Sequence, residues 1–240
     1  NVANLKLNAK LGSYVLRFKA LDSSNAEFAH IDSESIEVTA GAAHHLDLTR
    51  AAGGAQVGKN FATMPSVTVK DADGNTVGNS SASVVATISS PAGLSVPVGS
   101  GSTTVAASSG VVSFTGLRAT GATGTYDITY ALAADSGTSV TQTGFEIKAG
   151  TGTKLAITTQ PSNSVAGVAF DSTTSVKRVT VVVQDAYGNL VSDATNAITP
   201  ILVDAVSGIS RNVARSAVTA SSGSAAFTGL SYGLAGTHKI

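Results

Sequence analysis

The sequence has no cysteine and no tryptophan in 240 residues, which excludes a disulfide framework and a thiolate metal site. Whatever modules it forms are held by hydrophobic packing alone. Charge is scarce as well: charged residues make up 12%, about half the usual share, and 15 basic residues balance 15 acidic ones. A neutral surface of this kind argues against a nucleic-acid or anionic-membrane partner. No stretch approaches the ~18 unbroken apolar residues of a membrane span, and no helical periodicity is present. The constellation of a hydrolase is missing too. Serine is abundant, but there is no Gly-x-Ser-x-Gly elbow between a strand and a helix. The chain is read as a non-enzyme with no cofactor.

What is there is alternation and recurrence. Val181, Val183 and Val191 flank a turn formed by Asp185, Gly188 and Asn189, and the same plan stands earlier in Val67, Val69, Asp71, Gly74, Asn75 and Val77. Every second side chain then faces one side of a sheet, and Asp and Gly-Asn supply the turn chemistry. Ala107, Gly110, Phe114 and Leu117 match Ala220, Gly223, Phe227 and Leu230, displaced by 113 residues. Gly12, Gly124 and Gly236 each open a Gly-x-aromatic or Gly-x-His triplet at intervals of 112. Ile36, Val38 and Gly41 match Phe145, Ile147 and Gly150, displaced by 109. Recurrence at a fixed period marks a repeat array.

The phase of the repeat divides the chain. Residues 1–41 hold the last two strands of one unit, 42–150 a complete unit, and 151–240 a unit lacking its last strands. The chain therefore reads as a slice of a longer array, and neither terminus is expected to be natural. Strands are expected at 45–49, 67–70, 83–88, 103–106, 111–115, 125–132 and 145–148, with 103–106 and 111–115 as a hairpin around Ser108, Ser109 and Gly110. Tyr126, Ile128, Tyr130 and Leu132 should face inward; Tyr14, Leu16 and Phe18 repeat the pattern, with Val15 as a misfit. About seven short strands per ~110 residues read as an all-β, immunoglobulin-like β-sandwich, large enough to fold on its own core. Tyr126 stands where such sandwiches tie a tyrosine hydroxyl back to nearby backbone, a place His238 takes in the last unit. Ala40-Gly41 and Ala149-Gly150 are the joints between units, too short for independent tumbling.

These residues resemble the tandem immunoglobulin-like or filamin-like repeats of large prokaryotic surface proteins: adhesin stalks, invasin-type arrays and S-layer proteins. The resemblance rests on Val181, Val183, Asp185, Gly188, Asn189, Val191, Gly223, Ala225, Phe227, Gly229, Leu230, Gly236 and Thr237, and on Val67 to Tyr126 in the same pattern. It implies an extracellular, cell-surface location. The motif residues are turn and core positions, so it points to a class of architecture and not to a ligand.

The candidate sites are few. Asp71, Asp73 and Asn75 offer clustered oxygens to a hard cation, but the spacing lacks the glycine and distal glutamate of a twelve-residue calcium loop; a structural turn is the reading preferred. Asp185, Tyr187 and Asn189 form the sister turn. His44 and His45 are adjacent, and neighbours on a strand point to opposite faces, so a shared metal ion is not expected. His30 is read as a lone loop residue. No catalytic, cofactor-binding or metal residue is assigned. A sugar platform would need exposed aromatics, for which only Tyr187 and Tyr232 are available. Asn79 begins an N-glycosylation sequon. An exposed sheet edge is a further way to take a partner strand.

The expected function is mechanical: a structural repeat segment of a large extracellular surface protein, forming a rod or a self-assembling layer or fibre, each unit adding roughly 35 to 45 Å. The alternative is the stalk or binding module of a cell-surface adhesin. The partners expected are other copies of the protein or neighbouring repeats, or a cell-surface or polysaccharide ligand.

Overall fold

The computed structural model describes residues 10–95, 101–163, 165–169, 178–204, 207–212, 216–231, 233 and 238–239. Every regular element among them is a strand, and the fold is all-β. Alternation decides the layers of the middle segment. Val84 and Ala86, Tyr126, Ile128 and Tyr130, and Phe145 and Ile147 take every second position of their strands and are buried, because successive side chains on a strand point to opposite faces. Strands Thr104–Ala106, Ser83–Ile88, Gly124–Leu132, Ser139–Lys148 and Ala55–Gln56 form a five-stranded sheet in that order, antiparallel except for the last pair. Strands Val111–Ser113, Ser66–Lys70 and His45–Arg50 form a three-stranded antiparallel sheet. The two sheets close on one core as a β-sandwich, in which Phe114 meets Tyr130 with ring centroids 5.5 Å apart and Phe61 meets Phe145 at 5.0 Å.

The last segment builds the same three-stranded ladder from Lys154–Thr159, Val179–Gln184 and Ser224–Phe227. Even the register shift falls at the same place, between Ile157 and Thr159 as between Leu48 and Arg50. A second core of Val179, Val183, Val191, Leu202, Ala225, Phe227 and Leu230 lies beneath it. In the first segment, Gly12–Tyr14 pairs with Ile36–Val38 in the register that Gly124 to Tyr126 keeps with Phe145 to Ile147. Tyr126 donates its hydroxyl proton to the carbonyls of Ala122 and Thr123, at 3.1 and 3.2 Å, and Tyr14 donates to Lys10 O at 2.7 Å. The side chain of His238 and residues Tyr232, Gly236 and Thr237 lie outside the described residues.

Two expectations are corrected, and the misfit at Val15 finds its reason. The turn at Ser108 to Val111 forms, with Ser109 and Gly110 at φ of 51° and 75° and hydrogen bonds closing it in both directions. Its flanking strands, however, do not make a hairpin: Thr104–Ala106 joins the five-stranded sheet and Val111–Ser113 the three-stranded one, so the turn carries the chain from one layer to the other. A side chain at Gly110 would stand 2.5 Å from Val77 O, which is why the crossing needs glycine. The misfit at Val15 marks a break. Gly12–Tyr14 and Arg17–Leu21 pair with different strands, and the counterpart of Val15, Asp127, sits at a register shift in the middle segment. Finally, Phe18 is 60% exposed, whereas its counterpart Tyr130 is fully buried; among the described residues no second sheet covers Phe18 as the Phe114 sheet covers Tyr130.

Tyr130 carries a cost of its own. Among the described residues its buried hydroxyl has no hydrogen-bond partner, and burial pushes the phenol well above its ordinary pKa. An unpaired buried hydroxyl is worth less than none, and phenylalanine keeps the ring that packs against Phe114. Tyr130→Phe should therefore raise stability by about 1 kcal/mol, read as a higher melting temperature for the middle segment; a fall of similar size would show that the hydroxyl has a partner.

Candidate functional site: the joints between segments

At both places expected to be joints, the glycine meets an Asp-x-x-Gly-Asn turn. Strand Ser66–Lys70 ends at Asp71, where Asp71 N donates to Asn75 O at 2.9 Å and Gly74 adopts φ of 82°, a left-handed value that glycine tolerates without strain. The carboxylate of Asp71 is folded back over this turn. Its Oδ1 accepts from the N–H groups of Asp73 (3.0 Å) and Asn75 (2.8 Å), and its Oδ2 from Asn75 Nδ2 (3.1 Å). The remaining acceptor position takes the N–H of Gly41, the joint residue thirty places earlier, at 2.9 Å.

Asp185 repeats the arrangement. Its Oδ1 accepts from Tyr187 N (2.9 Å) and Asn189 N (3.0 Å), and its Oδ2 from Asn189 Nδ2 (2.9 Å) and from Gly150 N (3.0 Å), the residue of the second joint. Asn189 then reaches further. Its Nδ2 donates to Gly121 O at 2.8 Å, and its Oδ1 accepts from Thr123 N at 3.1 Å. One side chain thus closes its own turn and grips the 121–123 loop of the middle segment. At Gly150 a Cβ would stand 2.5 Å from Val57 O, so the joint can lie this close to the sandwich only as glycine. Beside the joint runs a cleft of about 510 Å³, lined by Gln56, Thr125, Glu146 and Lys148 on one side and Leu190, Ser192 and Asp193 on the other.

Donors converging on a carboxylate stabilise its ionised form. The Gly41 N–H, with smaller help from Asn75 and Asp73, holds the Asp71 carboxyl down at about 2. For Asp185 burial alone would raise the pKa, but the Asn189 amide and the N–H groups of Gly150, Asn189 and Tyr187 outweigh it and leave the carboxyl below its usual range. With folded values below the unfolded ~3.9, the contribution of these groups is whole above about pH 4 and is lost as pH falls through the folded values. The radius of gyration from small-angle scattering should therefore hold constant from neutral pH to about pH 4 and change only below it; a change between pH 7 and 5 would contradict this.

The other candidates are placed as follows. Asp73 joins the first turn through its N–H alone, while its place in the sister turn is held by Tyr187, 52% exposed. A Cβ at Gly58 would meet Tyr187 Cε2 at 4.0 Å, so one edge of the ring lies beside Gly58 of the middle segment. His44 precedes the strand His45–Arg50, so alternation does not separate the two imidazoles; they stand edge to face, centroids 5.8 Å apart. His30 is not a loop residue but lies in strand Glu27–Asp32, its Nδ1 2.8 Å from Glu27, which also meets Lys19 Nζ at 2.7 Å. Asn79 is exposed on a turn closed by Ser80 N and Val77 O. The pattern of the sequence did not disclose that Asp71 and Asp185 reach the joints, although the recurrence of Asp and Asn at matched places was the available signal.

No protein-family model matches the chain, and no curated protein is similar to it. Among solved structures the chain is similar to FdeC, an Escherichia coli adhesin, with a TM-score of 0.41 and 18% sequence identity over 80% of this chain and 57% of that one. The chain thus spans little more than half the length of that protein.

Proposed function

We propose that this chain is a spacing segment of a large extracellular surface protein, in which immunoglobulin-like modules of the 42–150 kind are joined end to end as a semi-rigid rod. The observation that carries the reading is the repeated carboxylate latch: at both joints an aspartate that opens a turn in one segment also takes the N–H of the glycine leading into it. A joint whose backbone is hydrogen-bonded to the next module has lost the freedom of a flexible linker. The grip of Asn189 on Gly121 and Thr123 adds a second attachment away from the chain path. The role is mechanical, with no catalysis of its own. Balanced charge, 15 basic against 15 acidic residues, favours rods that pack side by side into a layer or fibre on the cell surface.

Electron microscopy of the intact parent protein, with and without a calcium chelator, tests this. Straight rods, alone or in a lattice, with a spacing of roughly 35 to 45 Å per module and no response to chelator are expected. Rods ending in a globular tip would make the segment an adhesin stalk. Beads on a flexible string would overturn the reading.

A further inference from the structure

We propose that the middle sandwich is built to carry tension along the chain, with Gln142 as the side chain that reinforces it; this rests on the rod reading above. The chain enters on His45–Arg50, paired antiparallel with Ser66–Lys70, and runs on into a short strand that lies adjacent and parallel to the strand through which a pull would leave. Ala55–Gln56, near the start of the segment, pairs in parallel with the end of Ser139–Lys148, Ala55 opposite Ile147 and Gln56 opposite Lys148. Val57 N adds a hydrogen bond to Lys148 O at 3.0 Å. When two parallel strands are drawn apart, one by its N-terminal end and the other by its C-terminal end, they slide along each other. All the bonds between them, which lie across the pull, are loaded at once. Neighbouring ends of an antiparallel pair instead peel open one rung at a time.

Gln142 extends this patch where the main chain does not. Its Oε1 accepts from Ala52 N at 2.8 Å and its Nε2 donates to Ala52 O at 2.9 Å, so one side-chain amide reproduces both bonds of a β-bridge. It can do so because the ladder slips between Tyr126/Phe145 and Ile128/Gln142, placing an extra residue in the 139–148 strand. Alternation counted back from Ile147 and Phe145 would turn position 143 inward; the slip turns Gln142 there instead. The bonds to Ala52 then stand in line with those at Ala55 to Val57, along the same two runs of chain.

Force-clamp spectroscopy on the full chain tests the proposal, and the absence of native cysteine makes engineered ones unique handles. Ala43→Cys with Thr151→Cys pulls along the segment; Ala43→Cys with Ala72→Cys peels the His45–Lys70 end of an antiparallel pair. At equal force the axial lifetime should be the longer. Gln142→Ala should shorten the axial lifetime about tenfold, since forced unfolding follows the unfolding rate, and leave the peeling lifetime unchanged. Should Gln142→Ala fail to fold, Gln142→Met, which keeps the reach of the side chain but neither bond, should shorten the axial lifetime and leave the peeling lifetime unchanged. Equal lifetimes in the two directions, or equal shortening in both, would overturn the proposal. Rods in micrographs without a directional difference would leave the rod reading standing and remove this one; flexible beads with a directional difference would do the reverse.

Discussion

Asp185→Ala should free the last segment from the middle one and lower the stability of the last by about 3 kcal/mol or more. The carboxylate takes the N–H groups of Gly150, Tyr187 and Asn189 and the Asn189 side-chain amide, and it is almost wholly buried. Alanine leaves the N–H groups of Gly150, Tyr187 and Asn189 without this acceptor, while the Asn189 amide keeps only Gly121 O, and a buried donor left unpaired costs the full price of its desolvation. Asn189 also loses the partner that aims it at Gly121 and Thr123. Two readouts should move together: the calorimetric transition of the last segment and the hydrogen-exchange protection of Gly150 N–H. Loss of stability with Gly150 still protected would mean that Asp185 holds its turn but not the joint.

Phe114→Ala should destabilise the middle segment by about 3 to 5 kcal/mol, a fall of roughly 15 to 30 °C in its melting temperature. Phe114 follows strand Val111–Ser113, is almost fully buried, and packs between the two sheets against Tyr130. Removing its ring opens a cavity that a layer held on both sides cannot collapse to fill. The transition of the last segment, whose core is separate and centred on Phe227, should stay within a few tenths of a kcal/mol of its original stability. An unchanged melting temperature for the middle segment would show that Phe114 does not hold its core.

The sequence was most informative where structure is local. Alternation in Val67 and Val69 or in Tyr126, Ile128 and Tyr130 is a property of neighbouring residues, and the Asp-Gly-Asn turns follow from glycine's access to positive φ. Strand 83–88 was readable to the residue. What escaped was decided by partners far along the chain. Whether the strands around Ser108 to Gly110 pair with each other or with different sheets depends on Ser83–Ile88 and Ser66–Lys70. Phe18 was expected inward from alternation alone, yet burial needs an opposing layer, and Phe18 is exposed. Joints at Gly41 and Gly150 were an expectation from the period of the repeat, but the hydrogen bonds that hold those two glycines join residues 30 and 35 apart, and the grip of Asn189 spans 66 and 68. Gln142 was hidden by a slip in register, which reverses the face that alternation assigns.

The measurement closest to the central claim is the distance across the second joint. Spin labels on Thr87→Cys and Ala226→Cys, both exposed positions on strands of the middle and last segments, can attach nowhere else in a chain without cysteine. A latched joint predicts a single narrow distance distribution at neutral pH that broadens in Asn189→Ala and further in Asp185→Ala. A broad distribution in the unsubstituted joint would contradict the account, because the Asp185 latch would then not fix one module against the next.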